Sequence, residues 1–427
     1  MKFTKLIDDI HHIQQETDGI YIYGAGFYGK DVCRVLRNND IDVQGFLVTR
    51  KADNAEEVLG LPVYEADDLL QKNIGIVIGL SDTYSGQVRD DLAKQGFAMN
   101  HVVNGGRYIT DTGGREDLRQ SKVLEVSTVM GCAVNCHYCP QDVMLKKYYE
   151  HDKHRQRVMT LENFQTILDH TPANCIIDFS GMTEPFLNPH CLDMIRMACD
   201  AGRKVYLFTT LFEVPAETVD ELIQLPVYYM TLHVADIKGY AYIPTTETYY
   251  RNVEVVTKAK KPDGRPFVDF LNAQTDPDPR VAEIVKGRYE VMRSVQNRAG
   301  NLKDDTAQHR KSPIAPGTKM ECCFCGDDLS NSVVLPDGTL VLCNMDYGMQ
   351  HVLGNLYEED YDTIRSKGEL PRVLKELDGG MDENLLCRNC LLARISSEFS
   401  GGVNSPRKRN HLWHFSLNDI ETVPYAV

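Results

Sequence analysis

No stretch of the 427 residues is an apolar run of the roughly 20 residues that cross a bilayer. The start of the chain also lacks the apolar core of an export signal, since Lys2, Lys5, Asp8 and Asp9 interrupt it. Positive charge is in deficit. Lys and Arg number 46 against 61 Asp and Glu, a net charge of −15 with a pI near 5.3. Broad contact with nucleic acid or with an anionic membrane is therefore not expected. With no export signal the expected compartment is the cytoplasm, where thirteen cysteines stay reduced or hold metal rather than pair as disulfides. The 42% hydrophobic and 25% charged content is ordinary for a soluble globular protein, and the length suits two or three domains.

The cysteines that are present are unevenly spread. Cys33, Cys175, Cys191 and Cys199 are scattered and read as small buried hydrophobes. Cys132, Cys136 and Cys139 instead stand in one short segment with C-x3-C-x2-C spacing. Three thiolates this close can hold a four-iron cluster and leave one iron open for a small molecule. A zinc site completed by His137, or a redox dithiol, is the alternative reading of the same residues. The spacing, with Tyr138 just before the last cysteine, resembles the radical S-adenosylmethionine (SAM) superfamily. The resemblance implies a [4Fe-4S] cluster on the three cysteines and SAM on the open iron. It also implies reductive cleavage of SAM, and hydrogen abstraction by the resulting 5′-deoxyadenosyl radical.

Three regions are expected around this segment. Residues 1–104 read as a Rossmann-like parallel α/β domain. Ile20–Tyr23 is a strand that runs into Gly24, Gly26 and Gly29 and then into a helix through Val32, Val35 and Leu36, with further strands at Val43–Val48 and Gly75–Leu80. Glycines so placed can admit a nucleotide phosphate to the helix start. Thr49 and Arg50 stand where a dinucleotide site would want an acid, which disfavours NAD. The alternative is a fold kept for docking or dimerisation. The domain looks like small modules attached to sugar-modifying and polysaccharide-assembly enzymes. Residues 105–120 read as a linker.

Residues 121–310 alternate strand and helix, the pattern of a parallel sheet. Strands are expected at Lys122–Val129, Cys175–Ser180, Val205–Thr209, Val227–His233 and Phe267–Leu271. Helices are expected at Leu161–His170, Cys191–Ala201, Ala216–Gln224, Tyr249–Lys258 and Val281–Val295. This suits the partial (β/α)6 barrel of the radical SAM family. On that resemblance Gly181, Met182, Thr183 and Glu184, which precede Pro185, match the segment that receives the SAM amino group. Thr209 and Thr210 match residues touching its carboxylate or ribose. His233 and Asp236 end the fourth strand and are catalytic candidates, with His233 also a SAM contact; a structural role is the alternative for His233. Arg298 could pair with the methionine carboxylate, or form a surface ion pair.

Residues 311–400 carry Cys325, Cys343, Cys387 and Cys390, with a β-hairpin through Pro336, Asp337, Gly338 and Thr339. The spacing resembles the twitch or SPASM domains that hold a second, auxiliary [4Fe-4S] cluster; a zinc ribbon is the alternative. Cys322 and Cys323 adjoin Cys325, so either could be the first ligand. A fully ligated auxiliary cluster suits electron transfer, hence substrate oxidation. The leading expectation is a radical SAM oxidoreductase acting on a sugar, aminocyclitol or nucleotide-linked sugar and drawing electrons from a flavodoxin or ferredoxin. Alternatives are a peptide-modifying maturase, a redox-neutral epimerase and a non-catalytic iron–sulfur scaffold or regulator. Residues 401–427 are unassigned.

Overall fold

The computed structural model describes residues 3–37, 41–69, 72–80, 82–105, 122–150, 152–262, 264–292, 295–302, 307–308, 310, 312–322, 324–325 and 328–395. All but the first residue of the expected linker 105–120, the tail 401–427 and Cys323 lie outside these. The chain divides into two compact units, residues 1–117 with 258–270 and residues 118–257 with 271–427.

The first unit is built on a six-stranded sheet of β1 (Ile20–Tyr23), β2 (Val43–Val48), β3 (Glu57–Val58), β4 (Leu61–Glu65), β5 (Gly75–Ile78) and β6 (Val102–Asn104), in the order β3-β4-β2-β1-β5-β6. All neighbours are parallel except the short β3 against β4. Helices α1 (Phe3–Glu16) and α2 (Phe27–Arg37) pack Ile7, Ile10, Ile13, Val32, Cys33 and Leu36 against one core with Ile20, Ile22 and Phe46. Helix α3 (Asp82–Lys94) adds Leu92 to the other core, with Leu47, Ile76 and Ile78. Cover on both faces is why β5 is buried at all four positions. Helix α1 was not among the sequence expectations, although Ile7, Ile10 and Ile13 recur at helical spacing.

The glycines of the β1–α2 turn are explained by close packing. Gly24 has φ +105°, and a Cβ on Gly29 would lie 1.7 Å from the Gly24 carbonyl oxygen. Only a bare backbone lets the start of α2 come this near β1. Gly26, by contrast, has nothing within 4 Å of an added Cβ.

The second unit is organised on a nine-stranded open sheet. Its barrel strands are β7 (Val123–Val126), β8 (Ile176–Phe179), β9 (Val205–Thr209), β10 (Tyr229–His233), β11 (Phe270–Ala273) and β12 (Glu290–Val291). Two small pairs follow. One is β13 (Val295–Gln296) with β14 (Ala307–Gln308), the other β15 (Met320–Cys322) with β19 (Ala393–Ile395). Between them lie β16 (Asn331–Val334), β17 (Thr339–Val341) and β18 (Val352–Asn355). The large sheet runs β12-β11-β10-β9-β8-β7-β16-β17-β18 and does not close, as a partial barrel requires. Its helices include α4 (Gln141–Tyr148), α5 (Leu161–His170), α6 (Cys191–Asp200), α7 (Ala216–Leu222), α8 (Glu247–Lys258) and α9 (Pro279–Val285). Thr160 caps α5 by accepting a hydrogen bond from the Asn163 amide, which fixes its start where the sequence expects it.

Two expectations are corrected. The helix expected over Val281–Val295 ends at Val285. Asp278 caps α9 with Pro279 behind it, and Lys286 and Gly287, both at positive φ, terminate it before β12. The strand expected at Phe267–Leu271 begins at Phe270 and runs to Ala273. The hairpin is antiparallel as expected, with Gly338 at φ +84° in its turn. Beyond that expectation, β16 pairs in parallel with β7 and places Val333 opposite Glu125, so the hairpin extends the barrel sheet.

Candidate active site

The loop after β7 carries Cys132, Cys136 and Cys139 at the C-terminal end of the sheet. Gly131 at φ +89° and Asn135 at φ +44° turn the chain sharply on itself. Hydrogen bonds hold the turn. The Cys132 amide donates to Gln141 Oε1 at 2.9 Å, Gln141 Nε2 donates to Asn135 Oδ1 at 2.7 Å, and the Cys139 amide donates to the Cys136 carbonyl at 3.0 Å. From the segment after β10, the Tyr240 carbonyl accepts from the His137 amide at 2.7 Å. His137 thus sits ring-to-edge on Tyr240, centroids 5.4 Å apart.

The three thiols are unpaired. Burial pushes Cys132 up to about 11 and Cys136 up to about 12, and it raises Cys139 as well. A neutral thiol is costly to ionise here, so thiolates need compensating positive charge, which bound iron supplies. The donor set and its loop fit a four-iron cluster with one iron open. Two elements already lean on these sulfurs. The Glu184 backbone amide and Arg298 favour the ionised Cys132 and Cys139, respectively.

The segment after β8 reaches the loop through its backbone. Gly181 has φ +55°, and a Cβ there would lie 2.3 Å from Ser127 Oγ. The Met182 amide donates to that same oxygen at 2.9 Å. Thr183 Oγ1 is buried with no partner. Glu184 is also buried but fully engaged. Its Oε1 accepts from Thr209 Oγ1 at 2.6 Å, and its Oε2 accepts from the Thr210 amide and hydroxyl at 2.7 and 2.8 Å. Glu184, Thr209 and Thr210 therefore form one knot tying the ends of β8 and β9. Burial raises the Glu184 carboxyl, against the pull of those donors.

Arg298, in a short turn with Ala299 and Gly300 all at positive φ, is half-buried, and its Nε is shielded from solvent and unpaired. Burial works against its charge, but Tyr347, Cys139, Tyr138 and Cys136 outweigh that and raise it. It is a cation beside the cysteine loop. Tyr138, half-buried, is raised by desolvation and by neighbouring Cys136. His233 Nδ1 bonds Asn272 Oδ1, and burial lowers its pKa, so the ring is neutral near pH 7. Asp236 organises the next turn, its Oδ1 accepting from the Lys238 and Tyr240 amides and from Thr275 Oγ1, while Oδ2 is buried and unpaired.

A second set of thiols converges further along. Cys322, Cys325, Cys343, Cys387 and Cys390 line one pocket whose other walls include Phe324, Leu342, Leu386 and Leu392. Four of the five are those expected, and Cys322 joins them, its sulfur accepting from the Cys325 amide at 3.1 Å. The hydrogen bond to Cys325 draws Cys322 down to about 7. Among the described residues no group of three or more His, Cys, Asp or Glu side chains is arranged to hold a single metal ion. A four-iron cube takes each thiolate on a different iron.

Sequence reasoning missed two residues in the barrel interior, Glu125 and Asp178. They face each other in register on β7 and β8, 1% and 0% exposed. The available signal was a lone acid inside an otherwise apolar strand, Val123-Leu124-Glu125-Val126 and Ile176-Ile177-Asp178-Phe179. Gly24, Gly26 and Gly29 belong to the first unit, where among the described residues no structural observation marks a nucleotide.

The second unit is thus an open α/β barrel with three thiols on the loop after its first barrel strand. Residues 126–278 match the model of the Radical SAM superfamily, and this part of the chain is a radical SAM domain. The family's cofactors are a four-iron cluster and SAM. Among solved structures, BtrN in complex with AdoMet and 2-DOIA is 17% identical, with 61% of this chain and 88% of that one covered at a TM-score of 0.40. SuiB of Streptococcus suis bound to the precursor peptide SuiA is 11% identical over 72% and 82%, with a TM-score of 0.42. The enzyme anSMEcpe with bound AdoMet is 15% identical over 60% and 81%, at 0.36. Among curated proteins none matches the chain. No helix among the described residues is long and apolar enough to cross a membrane.

Proposed function

We propose that the chain is a radical SAM oxidoreductase that dehydrogenates a sugar, aminocyclitol or nucleotide-linked sugar, with an auxiliary four-iron cluster as electron acceptor and a flavodoxin or ferredoxin as donor. The observation that carries this reading is the convergence of cysteines from three separate segments on one apolar pocket. Full protein ligation of such a cluster leaves no open iron for substrate, so electron transfer is its natural use. The nature of the barrel interior supports a small polar substrate, since buried polar atoms of Glu125, Asp178 and Thr231 await partners there.

Cys132, Cys136 and Cys139 would hold the first cluster, and Cys325, Cys343, Cys387 and Cys390 the second. When bound, these groups supply a SAM-derived carbon radical that removes one hydrogen atom, and a sink for one electron. The chain's own residues do the rest. Gly181 gives the room, and Met182 and Thr183 the polar groups, for the SAM amino end. The Arg298 guanidinium suits a carboxylate, and Tyr138 flanks the loop. Neutral His233, steadied by Asn272, is placed to take the proton of a substrate hydroxyl. Loss of a hydrogen atom, a proton and an electron converts the carbinol to a carbonyl. Asp236 positions the Tyr240 turn against the cysteine loop.

The test is anaerobic reconstitution followed by dithionite reduction with SAM. About eight irons per chain and formation of 5′-deoxyadenosine are expected. Replacement of Cys132, Cys136 and Cys139 by Ala should abolish deoxyadenosine and leave about four irons. Cleavage persisting in that variant, or zinc in place of iron, overturns the proposal. Turnover of a peptide but of no sugar would overturn the substrate class alone.

A further inference from the structure

We propose that Glu125 and Asp178 form a receptor for a protonated amine, so that the substrate is an amino-bearing polyol, an amino sugar or aminocyclitol, and not its all-hydroxyl counterpart. This deepens the substrate class proposed above and rests on that reading for the reaction itself.

The two carboxylates are direct neighbours across β7 and β8. Parity along parallel strands puts them on the same face as Tyr206, the in-register partner of Asp178 on β9. That face is the barrel interior, floored by a cluster of Val123, Ile176 and Tyr206 with Phe208 and Tyr229. Neither acid has an ion-pair partner among the described residues, and neither oxygen of Asp178 has a partner at hydrogen-bond distance, although the nearby Ser180 hydroxyl favours its ionised form. Glu125 Oε1 is equally bare, while Oε2 accepts from Ser180 Oγ at 3.3 Å. Two buried acids side by side are costly to ionise, so the empty pair holds its protons and a cation is what would let it shed them.

A second, independent observation lies in the surrounding wall. Asn331 and Asn344 favour the ionised Glu125 by side-chain hydrogen bonding, while their own Oδ1 atoms are buried without partners. Thr231, 1% exposed, holds Oγ1 unpaired on the same interior face, since its in-register neighbour is Phe208. Once the acids give up their protons the unmet atoms are overwhelmingly acceptors: both oxygens of Asp178, one of Glu125 and two amide oxygens. An ammonium group presents three donors and no acceptor, whereas a hydroxyl presents one donor and adds acceptors of its own. The chemistry of the wall selects the ammonium.

The receptor is also placed for the reaction. Ser180 touches Glu125 and directly precedes Gly181. Tyr347 feels the charge of Glu125 and stands next to Cys139.

The experiment compares binding of glucosamine, N-acetylglucosamine and glucose to the reconstituted full chain with SAM, by titration calorimetry at pH 7. Glucosamine is expected to bind about tenfold tighter than either neutral probe. Asp178→Asn and Glu125→Gln are each expected to erase that preference, bringing glucosamine down to the affinity of the neutral probes. Equal binding of the three probes to the unmodified chain overturns the proposal without recourse to any variant, as does absence of all binding, which would mean that water fills the wall. A lysine peptide favoured over glucosamine overturns the small-molecule assignment. Deoxyadenosine is scored in the same samples. An amine preference without SAM cleavage would defeat the radical reading and leave the receptor standing.

Discussion

The Tyr347 hydroxyl stands 3.8 Å from Cys139 Sγ, so a residue four positions after Cys343 touches a cysteine of the first loop. The link depends on β16 and β17 lying beside β7. Once Cys139 is a thiolate, the hydroxyl can only donate, and donors to cluster sulfurs favour the reduced state. Tyr347→Phe should therefore retain its iron but show a lower midpoint potential of the SAM-binding cluster, with slower SAM cleavage by a weak reductant. An unchanged potential in an EPR-monitored redox titration would remove Tyr347 from this role.

Five cysteines around one pocket leave one to spare, and they can be told apart. With Cys325 as ligand, Cys325→Ser should lower iron from about eight to about four per chain and abolish substrate oxidation while deoxyadenosine still forms. Cys322→Ser should keep about eight. The reverse pattern would transfer the ligand role to Cys322.

Gly181 has two reasons to be glycine, its φ of +55° and a Cβ position 2.3 Å from Ser127 Oγ. Gly181→Ala should cost about 1–3 kcal/mol of stability and weaken SAM binding by displacing Met182 and Thr183. Thermal denaturation and equilibrium dialysis with SAM read the two effects. A variant with native stability and native affinity contradicts both.

Burial first, and the mutual repulsion of the pair second, hold the Glu125 carboxyl well above its ordinary range; burial pushes Asp178 up to about 8. A carboxyl raised in the folded chain keeps its proton where the unfolded chain has lost it. Its contribution therefore favours folding at low pH and is lost as pH climbs from about 4, the unfolded value, towards 8. Asp178→Asn should flatten the decline in stability of the ligand-free chain across that window. Denaturant unfolding at pH 5 and pH 8 measures it, and an unaltered slope would count against the pair being coupled as described.

Much of the second unit was legible because local signals and burial agree there. Thr160 caps a helix whose buried Phe164, Ile167 and Leu168 follow helical spacing, and α5 falls on the expected residues. Strand β9 does likewise, since both of its faces are covered. The expected helix after β11 failed because an apolar stretch past Val285 outweighed Lys286 and Gly287, whose left-handed backbone stops a helix. The cysteine spacings located both thiol sets, but not the membership of Cys322, which follows from the β15–β19 ladder bringing distant segments together. Arg298 was legible as a candidate; its electrostatic neighbour Tyr347 was not, because Tyr347 follows the hairpin extension in the chain. The Glu125–Asp178 pairing needs strand register, which a sequence without neighbours does not state.

The parallel pairing of β16 with β7 also changes what a minimal catalytic fragment can be. A chain cut after residue 310 would strip four residue pairings from β7, Val123 to Val126, and leave a buried, apolar strand as a raw sheet edge. Such edges recruit other chains. The C-terminal region is thus the barrel's own selvedge, and removing it to isolate the radical chemistry would yield an aggregating protein before it yielded a smaller enzyme.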